Sequence, residues 1–373
     1  YTENVDVTKS LTIKSTSGNP EDTIVRAANS NDHVFEVTAD YVNISGLTIK
    51  GATGYPRAGL YLGSGVEHCN ISNNNASNNC HGIYLYSSSY NTFTNNTANS
   101  NGKYGIYLCF SSYSTFTNST VSNNWCGIYL CSSSNNTFTN NTANWNGYYG
   151  IWLDHSSNNR LTGNTFINDG LHVSVSYKNT VENNTVNNKP LVYLEDDFNF
   201  TIQNAGQVIL VNCTNITVEN LNLSNTSVGI ELWETNNCKI ANNTASNNHY
   251  GIYLYYSSNN LIYNNYFNNT NNAYDDGNNI WNITKTSGTN IVGGSHLGGN
   301  YWSDYTGEDL DGDGLGDTLL PYNSSGNIQT GGDYLPLVKT AAPSIFDTGF
   351  GTYPSIMGCL LYTSDAADEG LGV

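Results

Sequence analysis

The chain of 373 residues carries a formal net charge of −18, yet only 11% of its residues are charged. Its 12 Lys and Arg form no cluster, which excludes a nucleic-acid or anionic-membrane surface as partner. No apolar run approaches the roughly 18 residues of a membrane-spanning helix.

Residues 1–58 hold short alternating segments such as Val5–Val7, Val34–Val37 and Leu47–Ile49. They read as irregular first coils of a solenoid, entered part-way through at Tyr1. From 59 to 270 an anchor of Gly, Ile or Leu, an aromatic residue and Leu recurs. It begins at Gly59, Gly82, Gly105, Gly127 and Gly150, spaced 23, 23, 22 and 23 residues, and returns at Gly229 and Gly251. A fixed period in the low twenties marks a repeat solenoid. Within a period, Ile83 and Leu85 alternate with Tyr84, and Phe93 alternates with Thr92 and Thr94. That is strand periodicity, without helical spacing. Short strands joined by Ser, Asn and Gly corners predict a right-handed parallel β-helix of the pectin-lyase-like kind, an all-β fold with one coil per repeat. Ile and Leu then point inward and the residue between them outward. Asn95, Asn118, Asn140 and Asn242 recur at a corner, where Asn tolerates left-handed backbone.

Between 169 and 225 the period loosens, which coils of unequal length or a loop around Glu195, Asp196 and Asp197 would explain. Residues 271–338 read as a C-terminal cap, 339–358 as a linker and the truncated start of a further domain. The stretch CLLYTSDAADE from Cys359 resembles a translated sequencing adapter, so 359–373 is expected to be non-native.

Three stretches carry a family resemblance: the repeat GIYLxxSxxNTFTNN, the segment from Gly206 to Trp233 (GQVILVNCTNITVENLNLSNTSVGIELW), and Gly299–Pro321 (GNYWSDYTGEDLDGDGLGDTLLP). Together they resemble the NosD-like β-helix group, especially surface proteins of methanogenic archaea. The resemblance implies an extracellular or cell-envelope protein and supplies no reaction.

Four kinds of chemistry are candidates. Asp309, Asp311, Asp313 and Asp317, with the backbone carbonyl of Leu315, follow the alternating oxygen spacing of a Ca²⁺ loop. The position of the closing Glu is Leu320, so Glu308, Asp304 or Asp333 would have to complete the set; an acidic surface turn is the plain alternative. Tyr61, Tyr84, Tyr107, Tyr129 and Trp152 should form an outward column, a strip suited to stacking on the sugar rings of a polysaccharide, or a cross-strand ladder that only stabilises the sheet. A β-helix enzyme would use carboxylates: Asp154 and Glu195, with His172 nearby, should lie two coils and roughly 9–10 Å apart, near the upper limit for an inverting pair. Copper, which the NosD name raises, wants converging His, Cys or Met, whereas the seven histidines are dispersed. Cys109 and Cys131 share a column one coil apart and suit a disulfide or stacked thiols equally. Asn-x-Ser/Thr sequons such as Asn43 and Asn199 arise largely from the repeat itself.

The sequence therefore points to an extracellular or envelope β-helix scaffold or adhesin, non-catalytic, contacting polysaccharide through the aromatic strip and holding structural Ca²⁺. A β-helix polysaccharide lyase or hydrolase is the second reading, and an accessory protein for copper-site maturation the third.

Overall fold

The computed structural model describes residues 1–339; the 359–373 tail and nearly all of the 339–358 segment lie outside them. The fold is a right-handed parallel β-helix with almost no helix, two single 3₁₀ turns at Pro20–Asp22 and Ser324–Gly326 apart. Each coil contributes short strands, and like strands stack in register. The anchor strands form an eight-stranded column from Val5–Val7 to Leu171–Ser174. A second eight-stranded column runs from Thr12–Lys14 to Thr180–Glu182.

Local chemistry explains the repeat. Ile83, Ile106, Ile128 and Ile151 stand in line in the interior, as do Leu85, Leu108, Leu130 and Leu153. Phe93, Phe116 and Phe138 stack inside the second column at 4.6 and 4.9 Å. The anchor begins with Gly because a side chain has no room there: a Cβ on Gly127 would lie 2.4 Å from the carbonyl oxygen of Gly150. Corner residues Asn95, Asn118, Asn140 and Asn242 all have positive φ, between 52 and 60°. Residues that follow this corner, and those that follow a like corner at Asn78, Ser100, Asn123, Trp145 and Asn168, form buried ladders. Along one of them each backbone N–H donates to the side chain one coil on: Asn79 to Asn101, Asn101 to Asn124, Asn124 to Asn146 and Asn146 to Asp169.

The loosened period after Asp169 comes in part from coils of unequal length, 20 residues from Ile151 to Leu171 and 16 from Leu191 to Gln207. In part it comes from a reversal of the chain. Val186 pairs with Lys189, and Thr185 with Pro190, in antiparallel fashion. The two residues between them, Asn187 and Asn188, have φ of 49 and 64°, the left-handed pair of a type I′ hairpin. A second stack follows, with anchor strands Lys189–Glu195, Gln207–Val211, Val228–Trp233, Tyr250–Tyr255 and Asn271–Asp275 in parallel order. Residues 59–270 are thus two stacks rather than one array.

The interior divides likewise into two hydrophobic cores. Ile209, Val211 and Trp233 project outward from the second stack into the core of the first. Gln207 accepts from the Leu171 N–H (3.0 Å) and donates to its carbonyl (2.6 Å), and Glu231 accepts from the Val173 N–H (3.0 Å). The outer face of the second stack thereby closes the strand edge at which the first would otherwise end open. At the far end Tyr301–Trp302 pairs with Tyr266 and Phe267, and Trp281, Trp302 and Tyr322 complete the second core.

Candidate functional site

The anchor column brings the five aromatic residues together. Tyr61, Tyr84, Tyr107, Tyr129 and Trp152 are register partners on successive strands. Their ring centroids lie 5.2, 4.7, 5.3 and 4.4 Å apart, and the Tyr107 and Tyr129 planes differ by 4°. His33 stacks on Tyr61 at one end (4.3 Å), and His172 continues the column beyond Trp152. The strip is not the freely exposed surface its outward direction suggests. His81, Tyr104 and Tyr149 pack against it from the neighbouring outward position, leaving Tyr129 buried and the other four half-buried. Burial raises the phenol pKa of Tyr84, Tyr107, Tyr129 and Tyr149 above the usual tyrosine range, so all four stay neutral donors. Tyr86 and Phe110 stand exposed along its edge.

A second ladder extends this surface. Tyr253 stacks on Tyr274 at 4.7 Å; beside them Trp233, buried in the joint, stacks on Tyr255 at 4.6 Å. The two ladders meet where His172 lies edge-on to Tyr253 (5.5 Å) and its Nδ1 sits 3.1 Å from Glu231 Oε2, a pair almost wholly buried. Sequence reasoning missed Glu231, although it stands in the aromatic place of the Gly229 anchor. That substitution was the available signal.

The carboxylates proposed as an enzymatic pair share no hydrogen bond and stand on different stacks. Asp154 accepts from Tyr129 Oη (3.0 Å) and Ser174 Oγ (3.1 Å) and lies 2.7 Å from His155 Nδ1. Glu195 belongs to the second stack, where it accepts from the backbone N–H of Lys178 (2.5 Å) and Asn179 (3.2 Å) and from Tyr193 Oη (2.7 Å). The estimate of two coils assumed one continuous column, which the Asn187–Asn188 reversal breaks. His172 is committed to Glu231 and touches neither.

In the acidic loop, ligand atoms of Asp309, Asp311 and Asp317 lie within 4.8 Å of one another. Asp313 turns instead to Lys285, whose ammonium it binds and which holds its carboxyl below the usual range despite partial burial. Gly294 and Gly314 pass close by, and Val338 donates to the Gly314 carbonyl. Leu315 is buried, and its N–H donates to Asp313. Two of the expected substitutes for the missing Glu are engaged elsewhere: Asp304 by Tyr322 and Asn272, Asp333 by Asn300 and Trp302. Glu308 is exposed at the loop's entrance. Cys109 and Cys131 are register partners and both are free thiols.

Fold and site together define a parallel β-helix with an outward aromatic ladder turning a corner between two stacks. The chain belongs to the NosD family: the family described as "Periplasmic copper-binding protein (NosD)" matches residues 2–176 and 167–307. No curated protein matches the chain by sequence. Among solved structures it is similar to the A-module of the Azotobacter vinelandii mannuronan C-5 epimerase AlgE4. That match has 15% identity and a TM-score of 0.43, covering 74% of this chain and 88% of that one. An alginate lyase from Paenibacillus sp. matches at 13% and 0.41, over 64% and 96%. The catalytic domain of a GH87 α-1,3-glucanase matches at 15% and 0.47, over 75% and 62%. Among the described residues no helix is long and apolar enough to cross a membrane.

The family description implies copper, and the donors here do not fit it. Among the described residues, the one group of three or more His, Cys, Asp or Glu with converging ligand atoms is the all-oxygen set Asp309, Asp311 and Asp317. The histidines are held apart: His33 by Ala58 N–H and Arg57, His172 by Glu231, His296 by the Asp313 carbonyl. Burial among tyrosines lowers the pKa of His81 to about 4, and among the described residues it belongs to no converging group of three or more His, Cys, Asp or Glu.

Proposed function

We propose that this chain is a non-catalytic β-helix scaffold or adhesin of the cell envelope or extracellular space that holds polysaccharide along its aromatic ladder. The observation carrying this reading is the in-register stack from Tyr61 to Trp152. The outward edges of these rings, one coil apart and carrying neutral phenols where they are half-exposed, offer a chain of sugar rings apolar contact and hydrogen bonds without charge. A cross-strand ladder needs no more than a single file. Here His81, Tyr104 and Tyr149 widen it, and the second ladder prolongs it past the junction. The carboxylates that an enzyme would need are held by backbone N–H groups and neighbouring hydroxyls, and Asp154 and Glu195 sit on different stacks.

In the same reading the acidic loop takes Ca²⁺ on Asp309, Asp311 and Asp317, joined by Asp313 and the Leu315 carbonyl once Lys285 yields. The ion would hold the C-terminal cap against the second stack and would take no part in glycan contact. Retention on immobilised polysaccharides tests the main claim. The parent protein should be retarded by at least one neutral polymer of a broad panel, and Tyr107→Ala and Trp152→Ala should each weaken retention. Equal retention of parent and variants would make the ladder purely structural.

A further inference from the structure

The second column carries a feature that the glycan reading does not use. Strands Thr92–Thr94, Thr115–Thr117 and Thr137–Thr139 share the sequence Thr-Phe-Thr and pair in register. Phe points in and both threonines point out, so six threonines form two parallel rows on one face. The inner row continues through Ser45 and Ser72 at one end and Thr162 at the other. A third row, Thr97, Thr120, Thr142 and Thr165, runs along the neighbouring face.

Three observations distinguish this grid from an ordinary solvated sheet. First, it is flat: Phe93 and Phe116 differ by 5° in ring plane, Phe116 and Phe138 by 7°, so successive coils are related almost by translation, without the usual strand twist. Second, among the described residues none of the six Thr hydroxyls has a hydrogen-bond partner in the protein, and the six positions carry no charge. Third, the fold does not require it. The corresponding strands of the second stack read Thr217–Glu219 (TVE), Lys239–Ala241 (KIA) and Leu261–Tyr263 (LIY). In the first stack the grid stops where Arg160 pairs with Glu182.

We propose that this threonine face is an ice-binding surface. Its hydroxyls and methyls repeat at about 4.8 Å between coils and about 6.6 Å between residues i and i+2 of a strand. The prism plane of ice repeats its oxygens at spacings near these two values in perpendicular directions. A flat array held rigidly by the stacked phenylalanines can therefore meet a water lattice at many points at once, each hydroxyl joining it while the methyls fill the gaps between. A sugar polymer is the poorer occupant. The grid offers no aromatic platform within it and no convergent donors, which are what single sugar rings require.

The test is the growth of ice crystals, by recrystallisation in a frozen sucrose solution and by thermal hysteresis, in the presence of the whole chain. The parent should slow recrystallisation several-fold. Thr117→Lys, at the centre of the inner row, and Thr137→Lys, in the outer row, should each abolish the effect with unchanged circular dichroism and melting temperature. Tyr107→Ala, on the aromatic face, should leave it intact. No effect of the parent on ice growth would overturn the proposal. So would inhibition that survives both lysine substitutions in folded protein, or adsorption to crystalline polysaccharide that is lost on Thr117→Lys without any effect on ice.

Discussion

Asp169 ends a ladder otherwise made of asparagines. Each rung above it accepts one N–H through Oδ1 and donates through Nδ2 to a carbonyl of an earlier coil, as Asn146 does to Val121. Asp169 accepts from the Asn146 N–H (3.0 Å) and Nδ2 (2.8 Å) through Oδ2, while its Oδ1, in the place of an amide nitrogen, has no partner. Desolvation raises its pKa to about 7, against the bonds from Asn146, which lower it. The folded protein therefore keeps a proton that the unfolded chain releases at ordinary Asp pKa. This contribution is fully present below pH 3.8 and is lost as pH rises through about 7. Asp169→Asn restores the donor and removes that slope. It should stabilise the protein at pH 8 by about 1–3 kcal/mol and have little effect at pH 4. Thermal melts of parent and variant at the two pH values check it by their difference, since buried Asp333, also raised to about 7, adds a slope of the same sign and His33 and His81, both lowered to about 4, add one of the opposite sign. A ladder position of this kind was legible in the repeat. That the last rung is an acid without a donor depends on burial, which the letters alone do not give.

Among the elements, the acidic loop and the hairpin differ in how plainly they were written. The loop's spacing raised the expectation of a cation, but did not show that Lys285, 28 residues away, reaches Asp313. If the loop takes Ca²⁺, added Ca²⁺ should raise the melting temperature of the whole chain, Asp311→Asn should cancel the rise, and Lys285→Gln should enlarge it by freeing Asp313. A melting curve indifferent to Ca²⁺ in all three would leave an acidic turn paired with lysine. The Asn187–Asn188 hairpin was hidden for a different reason. Asn pairs occur at nearly every corner of this chain, so one that reverses direction looks like one that merely turns. The clearer sign was the run Val208–Val211. It reads as a strand buried on both faces, and it is: every residue of Gln207–Val211 is buried.

For the whole molecule, the period was enough to establish a parallel β-helix, because inward Ile and Leu at a constant spacing leave few other ways to bury them. It was not enough to reveal two stacks, since the joint is made by side chains distant in sequence. Glu231 and Gln207 satisfy backbone groups of Leu171 and Val173, and Trp233 donates to Tyr177 (2.8 Å). Glu231→Ala should strand the Val173 N–H and the His172 ring, lowering stability by about 1–3 kcal/mol. Glu231→Gln, which keeps an acceptor, should cost less; equal losses in chemical denaturation would mean that the joint rests on apolar packing alone.

The joint also bears on the functional reading, because it brings the second aromatic ladder to the end of the first and leaves Asp154 and Glu195 on different stacks. The most direct measurement is therefore a paired one on a polysaccharide that the protein retains: retention and new reducing ends, in the same sample, for the parent, Trp152→Ala and Asp154→Asn. A non-catalytic scaffold should show retention by the parent and by Asp154→Asn, weakened retention by Trp152→Ala, and no reducing ends from any of them. Reducing ends released by the parent and abolished in Asp154→Asn would contradict it and make the ladder the floor of an active site.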